Sequence, residues 1–453
     1  MRAYIVVDLG FGDCGKGLLT DFLARQSGAG LVVRYNGGAQ AGHNVVTADG
    51  RQHTFSQFGS GTFVPGVKTY LSKHVVVHPG ALLVEGDILA GKGVRDAFAR
   101  LRVSDQALII TPFHQAANHI REIGRGKDRH GSCGVGVGEA VEDALAHAEN
   151  CVVAGDLCDL PKLRQKLRSI REQKRAQLIE LFKDQLPGQA LAREWEIFER
   201  ADVIDTWISS ISRIGELGLV APDEVLQSWL QRAEAVIFEG AQGVLLDAEA
   251  GFHPYTTWSH CTSANACDLI HALAPDAQVC QVGVMRSYAV RHGPGPLPTE
   301  TDVLSPAISE HNQSNQWQGP VRYGWFDAVL ARYALAVNGQ VDCLCVTHLD
   351  VLSHLKAWKY CPGYKEKLDF GKASGDSNSS AGVLKYIRLP GFLTLEQRAQ
   401  FTWALSAVTP VLESCDPQSE QVIEKIGSLV GQPVGLVSSG PRAENVKCVL
   451  GLP

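Results

Sequence analysis

The stretch Gly10-Phe11-Gly12-Asp13-Cys14-Gly15-Lys16-Gly17 combines glycines, a carboxylate and an ammonium. Glycines let a backbone close around an anion, and a helix start adds unpaired N–H groups and the positive end of a dipole. Lys16 supplies a cation for phosphate. An Asp in such a nest repels an anion unless it binds Mg2+ or takes a proton from a reacting group, so Asp13 points to chemistry as well as binding. The flanks fit: Tyr4-Ile5-Val6-Val7 reads as a strand, and Leu18-Leu19-Thr20-Asp21-Phe22-Leu23 as a helix. A dinucleotide fingerprint, Gly10-x-Gly12-x-x-Gly15, needs an acidic residue about 20 positions on, and the next strand-like run ends in Arg34-Tyr35-Asn36. The P-loop pattern G-x-x-x-x-G-K-(S/T) holds through Lys16 and fails at Gly17, where a Mg2+-binding hydroxyl belongs. A purpose-built GTPase loop, with Asp13 in place of that hydroxyl, is a third reading. A tight structural turn is the fourth, although it gives Lys16 no use.

Four further clusters put polar groups in loop-like settings. Asn36-Gly37-Gly38-Ala39-Gln40-Ala41-Gly42-His43 follows the second strand-like run, and in a parallel sheet it lies at the same carboxyl edge as the first loop. There His43 could donate to a phosphoryl group. His130-Gly131-Ser132-Cys133-Gly134-Val135-Gly136-Val137-Gly138-Glu139 alternates glycines with small residues, as a second phosphate loop or a lid would. Phe238-Glu239-Gly240-Ala241-Gln242-Gly243 ends a strand with an amide able to hold a purine edge or a phosphoryl oxygen. In Val346-Thr347-His348-Leu349-Asp350, Asp350 could accept both N1–H and the 2-amino group of guanine, a donor pair that adenine lacks; a helix cap is the plainer role.

The elements that must position these groups read as α/β. Strand-like runs recur at 3–7, 31–35, 75–78, 108–111, 151–154, 235–239, 278–285, 342–347 and 433–438, with helix-like stretches between many of them. That alternation predicts a large, mainly parallel central sheet flanked by helices. Residues 161–200 interrupt it with a charged helical stretch. Leu163, Leu167, Ile170, Leu178 and Leu181 form its stripe, and Lys162, Arg164, Lys166, Arg168, Arg171, Lys174 and Arg175 are expected on a solvated face. With no repeat or low-complexity linker, a single unit over 1–453 is expected, carrying a helical appendage at about 160–232. A chain of 453 residues with 45% hydrophobic and 20% charged residues is of ordinary globular type. Its net charge of −6 argues against nucleic acid or an anionic membrane as partner. No apolar run reaches the ~18 residues of a membrane span, and no leader is expected. Twelve cysteines without a C-x-x-C pair suit reduced thiols in a cytoplasmic protein.

In order along the chain, these motifs resemble those of the adenylosuccinate synthetases, GTP-dependent ligases of purine synthesis. Residues 12–17 resemble the family's G-D-E-G-K-G, and residues 33–43 (VRYNGGAQAGH) resemble V-R-Y-x-G-G-x-N-A-G-H. Residues 238–247 (FEGAQGVLLD) resemble F-E-G-A-Q-G-T-L-L-D, and residues 288–300 (YAVRHGPGPLPTE) resemble Y-x-T-R-V-G-x-G-P-F-P-T-E. Gly324-Trp325-Phe326-Asp327, residues 347–352 and Ser438-Ser439-Gly440-Pro441 follow T-G-W-x-D, T-K-L-D-V-L and S-T-G-P-D-R.

The resemblance implies the fold of that P-loop-like, GTPase-related family, a cytoplasmic homodimer, Mg2+ and a two-step reaction. Asp13 would deprotonate N1 of IMP, making its 6-oxygen a nucleophile toward the γ-phosphate of GTP; an amine, aspartate in the family, would then displace phosphate. His43, Gln242 and Lys16 would stabilise the transferring group, with Mg2+ near Asp13 and the Gly42 carbonyl. GTP would also meet Gly12, Gly15, Gly17, His348, Asp350, Ser438 and Gly440; the acceptor would meet Asn36, Gln40, Ser132, Cys133, Gln242, Thr257 and Arg291. Departures fall on both the acceptor and the amine side. Val135 and Cys133 replace an Arg and a Thr, and Gln40 replaces an Asn. The segment Gln316-Trp317-Gln318-Gly319-Pro320-Val321-Arg322 holds one guanidinium where the family has several, and His147 stands for an Arg that reaches across a dimer. Carboxylate recognition demands fork-shaped cations, so Arg322 and Val135 mark an altered amine site, and the acceptor itself is open. Glu139 and Val135 would suit a less acidic partner. A GTP-binding regulator that has lost ligase activity stays open as a different class, and so does an ordinary family enzyme with relocated arginines.

Overall fold

Among the described residues, nine strands that are largely buried on both faces run parallel, and a tenth closes one edge antiparallel. The computed structural model of the chain describes residues 1–126, 130–182, 188–308, 317, 319–365, 383–388 and 393–451. The sheet strands, in chain order, are β1 (Arg2–Asp8), β2 (Leu31–Arg34), β3 (Lys68–Leu71), β4 (Leu101–Ser104), β5 (Val220–Ala221), β6 (Ala235–Glu239), β7 (Gln278–Arg286), β8 (Cys343–Thr347), β9 (Val434–Ser438) and β10 (Val446–Cys448). They lie in the order β10-β9-β8-β7-β1-β6-β2-β3-β4-β5, and β10 is the antiparallel edge.

Successive residues of a strand face opposite sides, and β1 shows the consequence. Tyr4 and Val6 join Leu19, Phe22 and Leu23 of helix α1 (Lys16–Gln26) on one face. Ala3 and Ile5 join Leu226, Leu230 and Ile270 on the other. A sheet covered on both faces binds ligands beyond the carboxyl ends of its strands. At that edge lie Asp8 of β1, Arg34 of β2, Glu239 of β6, Arg286 of β7, Thr347 of β8 and Ser438 of β9.

Several sequence expectations need correction. The runs 75–78 and 108–111 leave the main sheet and form a small parallel pair of their own, Val76–Val77 with Leu108–Ile109. The run 151–154 is no strand: Val153 makes a single bridge to Leu108, and a 3-10 turn follows at Ala154–Cys158. Strands β3, β4, β5 and β10 went unread because they are short, and in β3, β4 and β10 the residues Lys68, Arg102 and Lys447 mask the apolar signal.

The charged stretch is helical at Leu160–Leu181 and Gly188–Glu199, and residues 183–187 lie outside the described residues. Leu163, Leu167, Ile170 and Leu178 share one apolar cluster with Leu71, Leu101 and Val103 of the sheet, so this region packs into the core. Leu181 is exposed instead. Lys174, expected on the solvated face, is fully buried. Its ammonium lies 2.8 Å from both Glu139 and Asp143 and 3.3 Å from Glu142. Three carboxylates from the helix Val137–Ala146 hold it there. Arg121 and His114 also pair with Glu139 and Asp143, so Glu139 belongs to a buried ionic network.

Among the described residues no helix is long and apolar enough to cross a membrane. The cysteines are unpaired thiols; most are buried or half-buried, whereas Cys158 and Cys448 are exposed.

Removing one partner of a buried ion cluster leaves uncompensated charge. Lys174→Met is therefore expected to cost ~3–5 kcal/mol, read as a lower midpoint of urea unfolding. A loss below ~1 kcal/mol, the scale of a surface pair, would contradict that reading.

Candidate active site

Asp8, the last residue of β1, organises the glycine loop and was missed in the sequence, where it reads as a strand end. Its Oδ1 accepts the Gly10 N–H at 2.9 Å, and its Oδ2 accepts the Cys14 N–H at 2.9 Å. The same Oδ2 receives the Lys16 ammonium at 2.8 Å, with both side chains buried. One carboxylate thus curls the loop and fixes its cation. The available signal was a carboxylate directly before the glycine run.

Neighbouring strands close the loop from the side. Thr347 Oγ1 donates to the Cys14 carbonyl at 2.7 Å, and Arg286 Nε donates to the Asp13 carbonyl at 2.5 Å. Cys14 itself is buried, and burial with the nearby Asp8 charge pushes its thiol well up. Among the described residues, the non-glycine positions with left-handed backbone are Asp13 (φ 58°), Gln242 (φ 54°) and His348 (φ 58°). Each such position costs ~1–3 kcal/mol and persists only where its surroundings dictate it. All of them are residues that the sequence singled out for chemistry.

The loops at β1, β2 and β6 meet closely. A Cβ on Gly243 would lie 2.2 Å from the Gly10 carbonyl oxygen, and one on Gly37, at φ 77°, would lie 2.8 Å from Gln242 Oε1. One on Gly17 would lie 2.9 Å from the His43 Cβ. Lys16, Asp13, His43 and Gln242 are thereby brought to one place.

His43 is held by Glu239, with Nδ1 2.6 Å from Oε1. Glu239 also accepts the Ser60 N–H at 3.0 Å and the Ser60 hydroxyl. Burial raises the Glu239 carboxyl, but Arg34, His43 and Ser60 outweigh it and hold it at about 2. Burial and the Arg34 charge lower His43 to about 4 against the pull of Glu239. The resting pair is therefore neutral imidazole and carboxylate, with Nδ1–H donating to Glu239. Among the described residues, the amide oxygens Gln242 Oε1 and Gln40 Oε1 are buried without a hydrogen-bond partner. Such an atom costs ~1–3 kcal/mol, and a ligand donor would relieve it.

Asp13 carries a partner that was not foreseen: its Oδ2 lies 2.9 Å from His292 Nε2. Burial raises the Asp13 carboxyl, but the His292 hydrogen bond and charge, with Arg286 and Lys16, hold it at about 2. For Mg2+, the Asp13 carboxylate and the Gly42 carbonyl are hard oxygen donors, and Gly42 is exposed. A pair of such donors with nucleotide phosphates suits that ion, which keeps few protein ligands. The residues fit the group.

The acceptor side differs more from expectation. Asn36 is fully buried, and its amide is engaged by backbone: Nδ2 donates to Ala241 at 3.0 Å and His260 at 2.9 Å, while Oδ1 accepts Ala241 N–H at 2.7 Å. With its amide engaged in this way, it ties loops together. Arg291 is 2% exposed. Its guanidinium donates to the carbonyls of Pro294, Pro296 and Tyr255 at 2.9, 3.3 and 3.2 Å, and it lies 4.2 Å over the Phe11 ring. Burial and nearby Arg322 lower it to about 9. Arg322 is held by Glu300 at 2.7 Å and by the carbonyls of Gly293 and Gly295 at 3.0 and 2.7 Å. Both arginines are structural pegs because the glycine-proline loop at 293–296 offers them backbone carbonyls.

Ser132 exchanges hydrogen bonds with Asn118, and burial raises the Cys133 thiol to about 11. Val135 packs with Val76, Ile110, Val137 and Ala140. Thr257 is half-buried, and its N–H donates to the Leu246 carbonyl at 2.8 Å. Trp317 stacks on His119 at 4.3 Å and covers Gly134, where a Cβ would meet its ring at 2.9 Å. Gln316 and Gln318 lie outside the described residues. His147 ends the helix Val137–Ala146, its N–H bonded to the Asp143 carbonyl.

On the opposite side, His348 bonds Thr347 Oγ1 at 2.8 Å and meets Tyr288 edge-on. Burial and Arg286 lower it well below the usual imidazole range, so its ring is neutral. Asp350 is exposed just beyond β8. Ser438 donates to the Gly440 carbonyl at 2.8 Å, which shapes the turn after β9.

Comparison with known proteins identifies the family. The adenylosuccinate synthetase family model matches residues 5–447. Adenylosuccinate synthetase of Neisseria gonorrhoeae is 31% identical over 450 residues, covering 97% of this chain and 96% of its own. That of Saccharopolyspora erythraea is 32% identical over 453 residues, covering 97% of each. A fully ligated adenylosuccinate synthetase structure from Plasmodium falciparum superposes with a TM-score of 0.73 at 21% identity, covering 99% of this chain and 100% of that one. The succinoaminodeoxyadenylate synthetase of cyanophage S-2L, bound to dGMP and to dATP as energy donor, gives 0.59 at 18%, covering 99% and 95%. With its parallel sheet, its glycine loop and this match over nearly its whole length, the chain belongs to the adenylosuccinate synthetase family.

Proposed function

We propose that the protein is a GTP-dependent C–N ligase that phosphorylates the 6-oxygen of IMP or a related purine and then installs an amine other than aspartate. The observation that carries the first half is the convergence of Lys16, Asp13, His43 and the unpartnered Gln242 amide oxygen on one loop. The proton on acceptor N1 passes to Asp13, and the ring electrons make the 6-oxygen a nucleophile. That oxygen attacks the γ-phosphorus, GDP leaves, and the amine then attacks C6 and expels phosphate with the oxygen. Lys16 and His43 face the charge that builds on the phosphoryl group; an approaching anion raises the basicity of His43 and favours its protonated form. Held by Asp13 and Gly42, Mg2+ would neutralise charge on the phosphoryl oxygens. Positioning and electrostatics of this kind supply most of phosphoryl-transfer catalysis.

The second half rests on the arginines. Arg291 and Arg322 point their guanidinium groups at backbone carbonyls and Glu300, and Val135 lies in an apolar cluster. A desolvated carboxylate without a cationic partner is costly, so an amine with fewer carboxylates than aspartate suits this surface better. A homodimer is the assembly that family membership favours.

Purified protein with Mg2+, GTP and IMP is expected to release GDP, and mass spectrometry is expected to find little adenylosuccinate when aspartate is added. Rapid, aspartate-dependent adenylosuccinate formation would overturn the amine assignment. GDP release that ignores every purine nucleotide would favour a GTPase regulator. For the base, Asp350→Asn replaces an acceptor pair with an acceptor and a donor. It is expected to weaken GTP use at least ~10-fold and to favour xanthosine triphosphate, since one good bidentate base contact is worth ~1–3 kcal/mol. Unchanged selectivity in competition assays would remove Asp350 from the base site.

A further inference from the structure

We propose that His292 is a positioning residue for phosphoryl transfer, holding the Asp13 carboxylate in the orientation that lets it take the acceptor proton. This rests on the assignment of Asp13 as the base. The backbone of Asp13 is already set, with its left-handed φ of 58° and its carbonyl held by Arg286 at 2.5 Å. What remains is rotation of the side chain. A hydrogen bond to one carboxylate oxygen fixes the carboxyl plane, and with it the direction of the other oxygen. His292 Nε2, 2.9 Å from Oδ2, makes that bond.

The strand that carries His292 is built to hold it still. Ala289–His292 pairs antiparallel with Val321–Gly324, and His292 stands opposite Val321. The preceding residue, Arg291, is pinned to the carbonyls of Tyr255, Pro294 and Pro296 and stacks on Phe11, two residues before Asp13. Two successive side chains of one strand thus dock on the glycine loop, one fastening the strand and the other reaching the carboxylate. Gly295 leaves room for this: a Cβ there would lie 2.2 Å from Arg291 Nη2. The His292 side chain is 21% exposed and that of Asp13 24%, so the pair is open to an incoming acceptor. Val occupies the place of His292 in the motif that residues 288–300 resemble, so the contact comes from this chain's own residue.

The test is positional isotope exchange in GTP labelled with 18O at the β,γ-bridge, with Mg2+ and IMP and no amine, which reads the phosphoryl-transfer step alone. His292→Val is expected to slow exchange ~10–100-fold, the scale of a misaligned reacting group, with KM for GTP and IMP within about twofold of wild type. His292→Gln, whose amide nitrogen can stand near Nε2, is expected to recover most of the rate. A melting temperature near wild type separates misalignment from unfolding. Exchange in wild type that is unchanged in His292→Val would overturn the role of His292 while leaving Asp13 as base. Equal losses in the Val and Gln variants would also overturn it. No exchange in wild type would remove the base assignment, and the role of His292 with it.

Discussion

The buried carboxylate of Asp8 is the interaction on which the site depends. It binds two loop N–H groups and the Lys16 ammonium at once. A buried ion pair is a poor source of stability, because desolvation offsets most of the attraction. Its value here lies in geometry. Asp8 holds the sharp turn after β1 and the Lys16 ammonium at the start of α1, and between these contacts Asp13 is left-handed. The loop after β6 and the ends of β7 and β8 lean on that turn through Gly243, Arg286 and Thr347.

The same division between fixed frame and reacting groups recurs around the loop. Glu239 fixes His43, and Arg291 fixes the strand that brings His292 to Asp13. In each case a buried charge or polar group is satisfied by the protein, and a neighbour is left facing the ligand side. Gln242 and Gln40 lack such partners at their buried amide oxygens among the described residues. They are places where a ligand would complete the site.

Much of this was legible in the sequence because parallel strands put their loops at one edge. The glycine runs after β1, β2 and β6 and the polar turn after β8 could be placed together before any coordinate was known. What the sequence could not say was which way a polar side chain faces. Asn36, Arg291 and Arg322 have the right chemistry for a ligand but are engaged by backbone groups that only folding brings near. Lys174 sits in a highly charged helix, yet the carboxylates of a distant segment draw it inside. Asp8 and His292 were hidden for the converse reason: one looks like a strand end, the other like a lone His, and their partners are set by tertiary contact.

The central claim is that the γ-phosphoryl group of GTP passes through the acceptor's own oxygen. The most direct measurement uses IMP labelled with 18O at the 6-position, with Mg2+, GTP and a panel of amines, and reads the isotope shift of released phosphate by 31P NMR. The account predicts one 18O in each phosphate released. Unlabelled phosphate, formed at the same rate without IMP, would contradict it and mark the protein as a GTPase.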